Sequence, residues 1–279
     1  MTSTKLNQSV NQTKVNRNNT RDLIWQMVVA DFRVKYQGSV LGYLWTLLKP
    51  IFMFGILYFV FTVAFPLGKG IEYYPAYLIL GLVMWNFFIE GVVMGMGSIV
   101  GHGDMIRKVS IPKYTIVLSS SMMALINFIL NLSVVFIVMI LVKVHLTWNV
   151  VFFPLVVLEM FVLTTGLGFL LSALLVKFRD MTNIWDITSQ ALFYLSPLLW
   201  LPSVISQKFG HVLKFLFLNP LAQIFQDARW ALITQQTETP YAVNGLWLGR
   251  ILPIAVVILI GIGSYYYFSK QSKYFAEEF

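Results

Sequence analysis

Two carboxylates, Glu90 and Glu159, stand inside long apolar runs of this chain. An ionised group at such depth is costly, so it faces protein or water and marks either a function or a structural anchor. It can carry a proton or bind a substrate, or it can serve as a hydrogen-bond anchor; no basic residue is evident at matching depth, which favours the anchor. His102, His145 and His211 fall in separate stretches of the chain. Too far apart to share one metal ion, they are expected at the surface. The chain of 279 residues has no cysteine, which removes disulfides, thiolate metal sites and cysteine nucleophiles together. It also lacks the Gly-x-x-x-x-Gly-Lys loop followed by Ser or Thr, so ATP cannot be hydrolysed here by the P-loop route. No Ser-His-Asp arrangement is indicated. The expectation is therefore a protein without catalytic residues, metal or bound cofactor of its own.

The elements that hold these groups are membrane spans. Hydrophobic residues make up 58% of the chain and charged residues 11%, against about a quarter charged in a soluble domain. Too few charges remain to cover a soluble fold. A hydrocarbon core needs about 20 apolar residues in a helix, and six runs are predicted as spans: 44–65, 77–100, 114–142, 150–176, 186–201 and 247–267. The fifth is short and carries Pro197. Between 203 and 239 the polarity is intermediate, which suits a pair of re-entrant half-helices buried by protein. The predicted class is an all-α polytopic membrane protein, with one permease domain over 20–279 behind a disordered tail, 1–19.

Arg107, Lys108 and Lys113, then Lys177 and Arg179, then Lys270 and Lys273 mark one side of these spans, the side that also holds the basic amino-terminal region. By the excess of Lys and Arg in short inner loops, both termini are predicted to be cytoplasmic. The net charge of +8 is spread over these loops, so anionic lipid or an anionic lipid-linked substrate suits it better than nucleic acid.

Before the first span, residues 20–38 are predicted to form an amphipathic helix in the membrane surface, with Thr20 as cap and Gly38 as stop. It either rests on headgroups or acts as a gate. In the second reading Arg33 and Lys35 stand at headgroup depth, where charge-assisted hydrogen bonds would hold a diphosphate. Asn127 and Asn131 are expected to hold helices together, and Gly91, Gly95, Gly166 and Gly168 to allow close packing.

The stretch from Asp31-Phe32-Arg33-Val34-Lys35-Tyr36 through Gly38-Ser39-Val40-Leu41-Gly42 to Trp45, closing with Lys49-Pro50, resembles the entry segment of type-2 ABC export permeases. Arg107-Lys108 before Ile111-Pro112, then Phe178-Arg179-Asp180, Ser196-Pro197, and Asn219-Pro220 with Arg229 beyond extend the likeness over nearly the whole chain. It is greatest to the subfamily that exports O-antigen, teichoic acid and related polysaccharides.

The resemblance implies a permease subunit of a bacterial inner-membrane exporter. Two copies would work with two copies of a cytoplasmic ATP-binding subunit, which would carry the Mg-ATP. The substrate would be a polysaccharide on undecaprenyl diphosphate or a similar anchor, met by Arg33, Lys35, Tyr36, Ser39, Leu41 and Gly42. Asp104, Arg107 and Lys108 would form the coupling helix, steadied by Arg179 and Asp180. Phe193, Tyr194 and Trp200 would line the glycan exit, although an aromatic belt at the membrane surface explains them equally. The alternatives are a type-2 exporter of a small drug or lipid, a proton-coupled carrier using Glu90 and Glu159, or a membrane transferase, for which no acid-base pair is found.

Overall fold

Lipid tails are as apolar as leucine, so membrane helices associate through close packing and hydrogen bonds more than through burial of oil from water. This chain follows that rule at its centre. The computed structural model describes residues 17–36, 42, 44–64, 72–108, 111–198, 202 and 211–275, and among them there is no strand. The helices are α1 (Arg17–Tyr36), α2 (Leu44–Phe59, continued by a π turn Val60–Ala64), α3 (Tyr74–Gly101), α4 (Gly103–Lys108) and α5 (Tyr114–Leu141). There follow α6 (Phe153–Lys177), α7 (Met181–Leu195), α8 (Pro220–Leu232), α9 (Pro240–Leu246) and α10 (Leu252–Gln271).

Helix α3 is the hub, packed by α5 on one side and α6 on the other. A methyl group added to Gly95 would lie 2.9 Å from the Cα of Gly168, and one added to Gly91 would lie 2.4 Å from Thr164 Cγ2. Gly166 meets Gly261 of α10 in the same way, at 3.0 Å. The small residues read from the sequence thus set how near α3, α6 and α10 come. Of the apolar window of α3, 72% is buried, against 6% for α2, so α2 is a peripheral element of the single chain.

Helix starts follow local chemistry. Asn219 accepts a hydrogen bond from the Leu221 amide at 3.0 Å and precedes Pro220, whose fixed φ suits a first turn. Thr239 caps α9 ahead of Pro240 in the same manner.

Five helices among the described residues are long and apolar enough to cross a membrane; the last runs over 240–271 through α9, the π turn Trp247–Ile251 and α10, with a kink at Gly245, whose φ is 75°. The expected span at 186–201 takes the form of α7, 15 residues ending at Ser196. That is about 22 Å of helix, short of the roughly 30 Å of hydrocarbon. Between α7 and α9, residues 211–216 are helical and α8 has 13 residues, too few to cross. Residues 203–210 of the expected re-entrant pair, and most of the expected tail, lie outside the described residues.

Helix α1 begins at Arg17, so Thr20 lies inside it and does not cap it. Its buried residues are Met27 and Val28, while Val34 is 72% exposed, because α1 docks on α5 and is not wetted evenly by headgroups.

Candidate functional site

The end of α1 meets the middle of α3 and α5. Lys35 Nζ pairs with Glu90 Oε1, and Asn127 Nδ2 of α5 donates to the same oxygen at 2.6 Å. The expectation that Glu90 lacks a basic partner is therefore corrected. Lys35 is distant in sequence and reaches it only because α1 folds back against α5, which brings its end beside α3. Tyr36 completes the junction, its hydroxyl 2.6 Å from Thr46 Oγ1 of α2 and 3.4 Å from Asn127 Oδ1.

A cavity of about 420 Å³ opens beside this pair. Lys35, Tyr36, Glu90 and Asn131 line it together with Trp45 and Lys49 from the start of α2. Pro50 lines it too, and by lacking an N–H it leaves the Thr46 carbonyl without its helical donor. Arg33 is exposed on α1 and does not line the cavity. Gly42 sits in a turn with φ 42°, a left-handed conformation suited to glycine, and its carbonyl accepts from the Trp45 amide at 3.3 Å. Ser39 and Leu41 lie outside the described residues.

A second cavity, about 300 Å³, lies against α7 and is lined by Trp85, Ile89, Ser189, Gln190, Phe193 and Tyr194. Ile89 lines both cavities, so the two are neighbours along one face of α3. The rings are ordered: Trp85 and Phe193 meet edge-on at 5.2 Å, and Phe193 and Tyr194 at 5.4 Å. Flat aromatic faces beside a hydroxyl and an amide suit sugar rings, which offer an apolar face and a polar rim. Trp85 was not singled out in the sequence, where an aromatic inside an apolar run is ordinary. Trp200 lies outside the described residues.

Helix α7 also presents Thr182, Asn183, Asp186, Thr188 and Gln190 on its exposed surface. Thr182, Asn183, Asp186 and Gln190 share one side of α7 and exposed Ile184, Ile187 and Leu195 another; a carboxylate at such depth turns its side to water or protein.

On the face that carries the loop basic residues, α4 is a six-residue helix with Asp104, Arg107 and Lys108 exposed and Ile106 buried. Ile106 belongs to a cluster with Met27 of α1, Ile99, Ile116, Phe169, Phe268 and Phe275. Helices α1 and α4 thus share one packed core. Arg179 and Asp180 are exposed and form no ion pair among the described residues.

His145 and His211 are exposed, but His102 is not a chance surface residue. Its Nε2 lies 3.5 Å from Asp31 of α1, and its Nδ1 is 2.9 Å from the Ser98 carbonyl. The hydrogen bond to Asp31 holds its pKa above the ordinary value, against the opposing effect of burial.

Arg229 of α8, within the expected re-entrant region, is wholly buried. Its Nε donates to the Tyr77 carbonyl at 3.3 Å and its Nη2 to the Leu198 carbonyl at 3.3 Å, while Nη1 reaches the Pro197 carbonyl and Gln226 Oε1. The guanidinium stacks 3.5 Å above the Tyr77 ring. Five donors in a planar fork satisfy carbonyls that would otherwise be orphaned at the end of α7. The Ser196-Pro197 and Arg229 motifs are therefore one structural joint.

The family described as ABC-2 type transporter matches residues 22–233. A Myxococcus xanthus protein described as O-antigen export system permease protein RfbA is 31% identical over 257 residues, covering 92% of this chain and 95% of that protein. Two Klebsiella pneumoniae proteins of the same description are each 28% identical, over 212 and 210 residues, covering 75% of this chain and 79% of those proteins.

Proposed function

Because this chain belongs to the ABC-2 type transporter family, we propose that it is the permease subunit of an ATP-driven exporter of O-antigen polysaccharide. The observation that carries the reading is the pair of cavities meeting at Ile89: a basic mouth at the end of α1 leads to an aromatic groove against α7. The names of the relatives, over nearly the full length of one of them, point the same way.

In this reading the chain sits in the bacterial inner membrane with both termini cytoplasmic. Two copies pack around the pathway, and the exposed polar strip of α7 faces that pathway. A polyprenyl diphosphate, such as undecaprenyl diphosphate, enters at the α1 mouth. There Lys49 meets its charge, and Lys35 exchanges Glu90 for phosphate oxygen. The glycan then runs past Trp85, Phe193 and Tyr194.

This chain supplies no P-loop, so two copies of an ATP-binding subunit seat on α4 and on Arg179-Asp180. When ATP closes that pair, α4 moves, and the core shared by Ile106 and Met27 carries the displacement to α1. Differential contact with two states is what lets nucleotide bias the gate.

The test is recovery of the tagged chain from its own membranes in detergent, with identification of any ATP-binding subunit that accompanies it. Stoichiometric capture, with ATPase activity raised by a polyprenyl-diphosphate glycan, is expected. Ile89→Trp, which fills the passage between the cavities, should abolish glycan export while leaving that capture unchanged. Capture of no ATP-binding subunit, or export undiminished in Ile89→Trp, would overturn the reading. A small-drug exporter would show stimulation by the drug and not by the glycan.

A further inference from the structure

At the opposite end of the molecule from α1, a cavity of about 650 Å³ lies between the start of α6, α8 and the 240–271 run. That is within the size range of small-molecule pockets. Its inner wall carries Glu159, Gln223 and Asp227, and Arg250 stands at its rim. Its outer wall is apolar, and Leu155, Leu158 and Ile258, each about half exposed or more, turn toward the hydrocarbon.

The polar wall is incompletely satisfied. Gln223 is 1% exposed, and its Nε2 donates to Glu159 Oε2 at 3.2 Å and to Asp227 Oδ2 at 2.8 Å. Gln223 Oε1 and Glu159 Oε1 are buried with no hydrogen-bond partner. Buried acceptors are normally paired. What the cavity lacks is a donor with several N–H groups. Arg250, exposed and carried to the rim by the π turn Trp247–Ile251, forms no ion pair within 4 Å among the described residues, stands within electrostatic reach of Glu159 and Asp227, and has its outer side exposed to an anion.

We propose that this cavity binds the headgroup of an aminophospholipid from the leaflet remote from α1. The primary ammonium donates to Glu159 Oε1 and Gln223 Oε1 beside Asp227, the phosphate meets Arg250, and the acyl chains lie along Leu155, Leu158 and Ile258. Charge order along the wall matches a phosphoethanolamine group: anionic sites deep, a cation at the rim, hydrocarbon outside. A quaternary ammonium offers no N–H for the bare acceptors, and a glycerol headgroup brings no positive charge to the two carboxylates. A second copy of the chain is a poorer occupant, since it would have to deliver a cationic donor through an apolar mouth. The inference stands apart from the export reading, because no residue of this cavity lines the α1 mouth or the α7 groove.

The full chain in detergent, equilibrated with equal amounts of dioleoyl phosphatidylethanolamine, phosphatidylcholine and phosphatidylglycerol, would be analysed by native mass spectrometry. Phosphatidylethanolamine should be retained at least about fivefold over the other two. Glu159→Gln combined with Asp227→Asn should reduce that ratio to about one. Ile258→Trp, which fills the mouth and leaves the polar wall intact, should do the same, and it serves where the double variant does not fold. Equal retention of the three lipids, a ratio unchanged in both variants, or quantitative disulfide cross-linking of two chains through Leu158→Cys would overturn the proposal.

Discussion

Glu90 and Glu159 are the same residue type at membrane depth on adjacent helices, and the chain treats them differently. Glu90, 11 residues from the Gly101 end of α3, is met by Lys35 and Asn127 from two other helices. Glu159, 18 residues from the Lys177 end of α6, shares one amide with Asp227 and keeps an oxygen bare. Measured from the same face, those depths are about 16 and 27 Å. The two carboxylates line separate cavities, which leaves a proton-coupled carrier built on the pair without a shared site. One carboxylate closes a joint between elements; the other belongs to a wall that awaits a ligand.

Arg229 is the extreme of the satisfied kind, and its removal should have the largest effect. Arg229→Leu orphans the carbonyls of Pro197 and Leu198 and removes the guanidinium from the Tyr77 ring, and should cost about 2–4 kcal/mol, read as a lowered thermal unfolding midpoint in detergent. Gly81→Ala tests the same seat from the other side. Its Cβ would stand 2.6 Å from Arg229 Nη2, an overpacking worth about 1–3 kcal/mol.

Glu90→Ala should cost about 1–3 kcal/mol by stranding Asn127 and Lys35. In a double-mutant cycle with Lys35→Ala, coupling above about 0.5 kcal/mol is expected. Additive single effects would show that the pair does not hold α1 down. By contrast, Glu159→Leu should leave the midpoint unchanged or raise it, since an apolar group in place of a poorly paired buried ion is neutral or favourable. A loss as large as that of Glu90→Ala would erase the distinction between the two sites.

The smallest effect is a pH dependence. Histidine titrates near 6.5 when free, and Asp31 raises His102 above that in the folded chain. The tie between α1 and α3 is therefore complete below about pH 6.5 and fades as pH rises through the raised value. Protease sensitivity of α1 should increase over that interval in the parent chain and show no such step in His102→Gln.

Much of this was legible in the chain. The apolar runs announced α2, α3, α5, α6 and α10, and the glycines of α3 and α6 announced where they touch. The entry motif located the junction of α1 with α2, and Phe193 and Tyr194 pointed to the groove. What could not be read was pairing across distance. Lys35 and Glu90 are 55 positions apart, and Arg229 finds Tyr77 at a separation of 152. Hydropathy assigns depth along one helix and says nothing about which neighbour comes alongside. For that reason the partners of Arg229 could not be named, His102 looked like a stray surface residue, and Glu90 like a carboxylate without a base.

The claim on which the functional account turns is that the polar strip of α7 lines an aqueous route. The chain has no cysteine of its own, so single replacements at Asp186, Gln190 and Tyr194 can be labelled without background. The account predicts rapid reaction of all three with a membrane-impermeant charged maleimide, slowed by lipid-linked glycan. Reaction only with a lipid-soluble reagent, indifferent to the glycan, would contradict it.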